Sequence, residues 1–308
     1  MTKTTERKSI VLFIFLLVNI FICISMQSVI RPAIQDGLKL CYQVLIPSLL
    51  PSLVFSNIIA DLDLHLENNK ISKLFATLFS SSPYGLMPYL VGLVCGFPVG
   101  AKHVCELRKN GYISEEEGNH LLGFSNNCGA AFCITGLSIL RKNLKEGIAI
   151  YLIQILVSLL ISFITKPKKE SITTGMQNQK LVKSSSISIS SSISSAMFSM
   201  LSICTTVCFF KMISTCASQF LPDFIMPFIS LILEVSSGLE RVCVIFKTSG
   251  FSTFALCAAG ICFGGISVFL QSLPYIEEAK LSGFHYISCK LLSAVIAYAI
   301  SVIIFPFL

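Results

Sequence analysis

The chain has 308 residues, of which 54% are hydrophobic and only 13% charged, and its mean hydropathy is +0.78. Ordinary soluble domains carry about 25% charged residues, so this composition excludes a soluble globular protein and predicts a helical protein in a lipid bilayer. The net charge of +7 is spread over loops and tails. It forms no basic stripe with aromatic residues, which argues against a nucleic-acid partner.

The N-terminal region, 1–30, opens with Lys3, Arg7 and Lys8 and continues as an apolar run at 10–30. The run is long enough to span a bilayer, and Arg31–Pro32 follows it in place of a small-residue cleavage site. We therefore expect a retained transmembrane helix with its N-terminus in the cytoplasm.

Further apolar runs divide into two kinds. Those expected to span are 41–60, 84–101, 146–165, 187–214, 222–246 and 285–307. The runs 119–140 and 251–273 have spanning length, but Ser125–Gly129 and Gly264–Gly265 interrupt their centres. We expect these two to be re-entrant hairpins.

A Lys-rich polar segment at 166–186 has no helical period and is predicted to be a cytoplasmic linker. Because the N-terminus is expected on the same side, an even number of membrane-spanning helices must precede the linker. That count favours re-entry for 119–140 and places Arg141 outside.

The two halves, 31–165 and 187–308, resemble each other. A shift of 138 positions sets Gly100 on Gly238 and Asn126–Asn127 on Gly264–Gly265. The predicted fold is therefore all-α and polytopic, with about seven spanning helices, two re-entrant hairpins and two inverted repeats. Inverted repeats with broken helices are a recurring plan among transporters.

The first chemically informative segment surrounds Pro98. Gly96 and Gly100 loosen the backbone on either side, and Pro98 lacks an amide hydrogen. Lys102 follows at the spacing that pairs it with Glu106. A kinked helix end explains this pattern, and so does an unwound helix that faces a solute cavity.

The second segment is Ser125–Asn126–Asn127, set in an apolar run. Buried amides need hydrogen-bond partners, and asparagine favours helix ends and turns over helix interiors. We expect a break here, after which a half-helix presents free amides toward an anion. A helix–helix packing motif is the alternative.

The corresponding second-half segments contain Glu234, followed by Gly264, Gly265, Ser267 and Gln271. A carboxylate within a span is a functional-site candidate by default. Glu234 suits an anion site only if it is protonated, pairs with Arg241 or binds a coupling cation. The predicted solute site comprises Pro98, Lys102, Ser125, Asn126, Asn127, Glu234, Gly264, Gly265, Ser267 and Gln271.

No nucleophile–base set, phosphate loop or metal-ligand cluster occurs in the sequence, so we expect no enzyme activity, metal or cofactor. Most of the thirteen cysteines lie singly in apolar runs and are expected to be buried hydrophobes. Ser114 and Glu117 have capping-box spacing, which predicts a solvated helix start.

The segments Gly96–Lys102, Gly111–Glu117 and Phe124–Asn127 resemble the YlbJ-type sporulation integral membrane proteins of the nucleoside-recognition, or Gate, superfamily. Phe263–Gln271 is similar to the other signature of that family. The resemblance implies a multi-pass membrane protein of endospore-forming bacteria, in the outer forespore membrane, that moves dipicolinic acid. The wider superfamily implies paired repeats and re-entrant elements.

The leading hypothesis is thus alternating-access transport of a small organic anion, with dipicolinate or a related anion as the solute and the lipid bilayer as the surroundings. A transporter of nucleosides or other neutral solutes is the second hypothesis, and a non-transporting scaffold of the spore envelope is the third. The sequence is compatible with an oligomer.

Overall fold

The computed structural model describes residues 20–60, 69–167, 188–246 and 250–308, together with positions 10, 13, 14, 17 and 18. The helices of these residues are α1 Gln27–Leu40, α2 Ile46–Ala60, α3 Lys70–Phe79, α4 Leu86–Cys95, α5 Val99–Lys109, α6 Glu115–Ser125, α7 Leu137–Arg141, α8 Leu144–Ile164, α9 Ile189–Ala217, α10 Met226–Leu233, α11 Val235–Ile245, α12 Phe251–Phe263, α13 Gly265–Glu278 and α14 Gly283–Ile304. Two π-helical turns, Cys41–Leu45 and Ala131–Gly136, lead into α2 and α7.

The chain is a helical membrane protein. Within the described ranges, five helical stretches are long and apolar enough to cross a bilayer, namely Gln27–Ile59, Leu144–Ile164, Ile189–Ala217, Phe251–Glu278 and Gly283–Phe307. A further apolar pair, α3 and the helix that follows it, meets at a bend of 96° and is either a broken span or a re-entrant element. The predicted first helix at 10–30 is helical at the positions that the structure describes, apart from a turn at Met26 just before α1. The linker at 166–186 lies outside the described residues except for 166 and 167.

The helix bundle has two ends. We call the end where α8 finishes at Thr165 the linker end. The start of α8 lies at the opposite end, where Glu146 forms a buried ion pair with Arg141 at the end of α7. The C-terminal part of α9 lies at that opposite end too, because Lys211 pairs with Glu240 at 2.6 Å on α11, which packs against α7.

Two helix pairs double back on themselves. The arms α4 and α5 form one hairpin, in which a Cβ atom on Gly100 would lie only 3.1 Å from the Cα of Gly92. The arms α10 and α11 form the other, in which a Cβ on Gly238 would lie 2.3 Å from the Cα of Leu231. Contacts this close require glycine, since any side chain would separate the two arms.

The helices on either side of Asn126–Asn127 run between the two ends of the bundle. In the middle of α6, Nδ1 of His120 lies 2.9 Å from Oγ1 of Thr165 at the linker end, whereas Arg141 at the end of α7 lies at the opposite end. The expectation that 119–140 re-enters is therefore wrong, and the doubling back occurs instead in the segment that contains 84–101.

In the second half, too, the run expected to re-enter crosses the bundle, and a run expected to span doubles back. The ring of Phe251 at the start of α12 packs edge-on against that of Phe305 beyond α14, with 5.7 Å between the ring centroids. At the other end of this broken helix, Glu278 of α13 pairs with Lys109 at 2.5 Å. The run 251–273 is thus part of a spanning helix with a break at its centre, and 222–246 contains the hairpin. Glycine and polar residues can interrupt a helix that continues across the membrane, and they can equally form the tip of a hairpin. The local sequence therefore does not distinguish a broken spanning helix from a re-entrant hairpin.

Local signals at helix starts are only partly as expected. The Ser114 hydroxyl caps α6 by accepting from the amide of Glu117 at 3.1 Å. Glu117 itself is fully buried, however, and its carboxylate accepts from the amide of Ser82 at 2.7 Å. The solvated helix start predicted for Glu117 is therefore wrong. All thirteen cysteines are free thiols and most are buried, as expected.

Candidate functional site

Four interruptions of helices meet in the middle of the bundle. The tip of the first hairpin touches the break between α6 and α7, since a Cβ on Gly96 would lie 2.6 Å from the amide nitrogen of Gly129. The tip of the second hairpin touches the break between α12 and α13, where a Cβ on Gly265 would lie 3.3 Å from the Cα of Glu234. We call this meeting of four breaks the crossing.

The backbone at the crossing has the conformations that its sequence favours. Gly96 and Gly264 have φ values of +86° and +82°, which glycine adopts without steric cost. Pro98 follows a cis peptide and directly precedes α5, where its missing amide hydrogen costs nothing. A Cβ on Gly264 would lie 3.2 Å from the ring of Phe97, so the two halves touch here.

Asn126 is the most extensively bonded side chain of the crossing. Its Nδ2 atom donates to the hydroxyl of Tyr286 at 2.7 Å and to that of Ser272 at 3.2 Å. Its Oδ1 atom accepts from the amide of Ala101 at 3.3 Å. The main-chain carbonyl of the same residue accepts a hydrogen bond from the ammonium group of Lys290. Asn126 thereby joins α5, α13 and α14 at one point.

Lys290 places a cation in the interior of the protein. The residue is 2% exposed, and its Nζ atom lies 6.0 Å from the ring centroid of Phe97 and 5.9 Å from that of Tyr286. No ion pair joins it to a carboxylate among the residues that the structure describes. A buried cation without a carboxylate partner is costly, so Lys290 is a candidate functional residue.

Asn127 and the residue after it are held by α8. The Nδ2 atom of Asn127 donates to the carbonyl of Phe124 at 2.8 Å, and its Oδ1 atom accepts from Ser158 at 3.2 Å. Gln154 bonds both main-chain groups of Cys128, at 2.8 and 3.0 Å. The break is therefore a bonded structure, and the amide of Cys128 is not one of the free amides that we expected to face an anion.

Glu234 caps the start of α11. Its two carboxylate oxygens accept from the amides of Ser236 at 2.9 Å and Ser237 at 2.7 Å. Arg241, the partner that the sequence offered, instead points a guanidinium nitrogen at the hydroxyls of Ser214 and Ser230, 3.5 Å from each. The negative charge of Glu234 is thus balanced by the helix N-terminus.

A small central cavity of about 40 Å³ lies at the crossing. Three of the breaks and the first half of α13 contribute to its wall, and the predicted residues Glu234, Ser267 and Gln271 are among the lining. The hydroxyl oxygens of Ser125 and Ser267 are buried, and neither has a hydrogen-bond partner in the described part of the chain. The residues that line the cavity from these three breaks and from α13 are Phe97, Cys128, Gly129, Glu234, Val235, Ser236, Ser267, Val268 and Gln271.

Lys102 lies outside this site. Its side chain is one-third exposed and forms the predicted ion pair with Glu106, at 3.9 Å. It does not line the central cavity. Six other predicted residues are near the crossing but do not line the cavity, namely Pro98, Ser125, Asn126, Asn127, Gly264 and Gly265.

The sequence interpretation missed Lys290, Tyr286 and Gln154. Lys290 stands alone as a charge within the apolar run 285–307, and a charge within a span is itself a signal of function. Tyr286 lies one helical turn before it on the same face. Gln154 lies in a similar position, as an amide in the middle of the apolar run 146–165.

No protein-family model, curated protein or solved structure matches this chain.

Proposed function

We propose that this protein is a transporter that moves a small organic anion across the membrane by alternating access. The observation that carries the proposal is the position of Lys290, a buried cation without a carboxylate partner among the described residues, beside a cavity where four helix breaks meet. Phe97 links the lysine to the cavity, because its ring lies under the ammonium group and also forms part of the lining. Cys128, another lining residue, lies two positions after Asn126, whose carbonyl the lysine binds. Such a charge suits a solute carboxylate.

Two inverted repeats form part of the proposal. Each half contains a long helix, a hairpin, a broken spanning helix and a final helix, in the same order. The first hairpin opens toward the linker end, where Lys109 meets Glu278, and the second opens toward the opposite end, where Glu240 meets Lys211. Gly100 and Gly238 correspond when the two halves are aligned with a shift of 138 positions. Each packs against the preceding arm of its own hairpin, which supports that alignment.

The central cavity is too small for an organic solute in this conformation. Its 40 Å³ compares with roughly 300–1,000 Å³ for small-molecule sites. Entry of a solute therefore requires a hairpin to move away from the broken helix it touches. The first hairpin could expose the crossing to the linker end and the second to the opposite end. Movement of one hairpin at a time would provide alternating access.

We propose dipicolinate as the solute and the outer forespore membrane as the location, on the basis of the resemblance of Gly96–Lys102 and Phe124–Asn127 to the sporulation family. Dipicolinate is a planar dianion with two carboxylates. In the proposed complex Lys290 supplies the positive charge, and Ser125, Ser267 and Gln271 supply neutral donors.

A second candidate is transport of a nucleoside or another neutral solute. One observation favours it, namely that the charged residue lining the cavity itself is Glu234, a carboxylate that would repel an anion. Sugar hydroxyls would instead donate to that carboxylate.

Uptake into vesicles that contain the purified protein tests the proposal. Radiolabelled dipicolinate should enter faster than into empty vesicles, and unlabelled dipicolinate should compete better than uridine. Stronger competition by uridine would support the neutral-solute alternative. No uptake of either compound by folded protein would contradict transport and favour a scaffold.

A further inference from the structure

A second cavity, of about 660 Å³, opens at the end of the bundle opposite the linker. We call it the vestibule. It lies among α1, α9, α10 and α11, and its volume is within the range of small-molecule sites. Hydroxyl groups and charged side chains of both signs line it, the charged ones being Asp36, Lys211, Asp223, Glu240 and Arg241.

Arg241 is the cation of the vestibule that has no carboxylate partner among the described residues. Lys211 differs, because it is paired with Glu240 at 2.6 Å. The hydroxyls of Ser214 and Ser230 lie 2.6 Å apart and hold one guanidinium nitrogen of Arg241 at 3.5 Å. The planar guanidinium has five donors in a fixed fork that matches the two oxygens of a carboxylate.

The vestibule and the central cavity share one thin wall. Ser236 lines the central cavity and its neighbour Ser237 lines the vestibule. The carboxylate of Glu234 accepts the amides of both. Arg241 lies seven residues after Glu234, about 10 Å along the helix axis. A solute in the vestibule is therefore separated from the crossing by the first turn of α11.

We infer that the vestibule binds a carboxylate-bearing solute through Arg241, with Ser214 and Ser230 orienting the guanidinium. The inference rests on the proposed function for the identity of the solute. The site is the first stop on the route to the crossing from that end of the bundle. Asp36 and Asp223 are exposed at the vestibule and repel anions in general. Binding therefore depends on directed hydrogen bonds from the guanidinium donors that the two serines leave free, and a planar carboxylate suits these donors.

Calorimetric titration of dipicolinate into the purified full-length protein tests this site. Arg241→Gln should weaken binding by roughly 10- to 100-fold, the range expected for loss of a charge-assisted contact. Arg241→Lys retains the charge but loses the fork, so it should also bind more weakly. Lys109→Gln, which removes one cation at the linker end, is the matched control and should bind as the wild type does.

The background Lys290→Met separates the two sites. Binding of dipicolinate should persist in that variant and be lost when Arg241→Gln is added. Equal affinity with and without Arg241 in both backgrounds, in protein that remains folded, would overturn the inference. If Arg241→Gln does not fold, the comparison is made with Arg241→Lys, and unchanged affinity in that variant overturns the inference as well.

The outcomes also distinguish this inference from the proposed function. Uptake into vesicles that is unchanged by Arg241→Gln, even at low dipicolinate concentration, would leave the transporter standing and remove the vestibule site. Arg241-dependent binding without any uptake would support the site and contradict transport.

Discussion

The ammonium group of Lys290 donates a hydrogen bond to the main-chain carbonyl of Asn126, a residue 164 positions earlier in the chain. The bond connects the last helix of the second half to the break in the first half. A break in a membrane helix leaves carbonyl groups without their helical partners, and each needs another donor. Lys290 satisfies one of them and at the same time brings a positive charge to the crossing.

The side chain of Asn126 offers a direct test of this network. Tyr286→Phe removes the hydroxyl that accepts from Nδ2 at 2.7 Å, while Ser272 remains as a second acceptor. We expect a loss of about 1 kcal/mol of stability, as for one buried hydrogen bond. Thermal unfolding in detergent measures it, with Tyr298→Phe, on the exposed side of the same helix, as the control. Equal melting temperatures for the two variants would contradict the role of Tyr286.

The contact between the first hairpin and the broken helix makes a prediction for Gly92. A Cβ there would lie 1.9 Å from the carbonyl oxygen of Ser125. Gly92→Ala should therefore destabilise the protein by about 1–3 kcal/mol, the usual cost of overpacking. Gly283→Ala is the control, because the nearest atom to its Cβ would be 3.4 Å away, an ordinary contact. A melting temperature for Gly92→Ala as high as that of the control would show that the hairpin does not pack as described.

Glu234 separates the two candidate solutes. Glu234→Gln retains one carbonyl oxygen to cap α11 but removes the charge from the cavity. For an anionic solute, the apparent affinity of uptake should rise because a repulsive charge is lost. For a nucleoside it should fall, because the amide is a weaker acceptor for hydroxyls. Concentration-dependent uptake of both compounds into vesicles measures the change, and an unchanged affinity for both would remove Glu234 from the site.

The arrangement of the helices predicts which loops share a side of the membrane. Lys142 follows α7 at one end of the bundle, and Lys166 follows α8 at the other. An impermeant maleimide on intact cells should label only one of the variants Lys142→Cys and Lys166→Cys, and permeabilisation should expose the other. The chain with its native cysteines gives the background. Labelling of both variants from the same side would contradict the inverted repeats.

The sequence was informative about where helices break and uninformative about the direction that the chain takes after each break. Local composition identifies Pro98, Asn126, Glu234 and Gly264 as interruptions, and the structure brings all four to one crossing. Whether the chain then reverses depends on tertiary contacts such as Gly92 against Gly100, which composition does not contain. For this reason the sequence predicts hairpins at 119–140 and 251–273, whereas the structure has them one element earlier in each half.

Two charged residues illustrate the same limit. The spacing of Lys102 and Glu106 correctly predicted an ion pair, but not that the pair lies away from the crossing. Lys290 was overlooked because one lysine changes the average hydropathy of 285–307 very little. Its burial and its bond to Asn126 depend on the packing of α14 against α6, which joins distant parts of the chain.

In the proposed transporter, Lys290 supplies the positive charge of the transport site. The most direct test is the uptake of dipicolinate by vesicles that contain equal amounts of wild-type protein or Lys290→Met. Methionine has a similar length and removes only the charge and the hydrogen bond. We expect uptake by the wild type and a rate about tenfold lower in the variant, equivalent to the loss of one charge-assisted contact. Uptake by folded Lys290→Met at the wild-type rate would contradict this role.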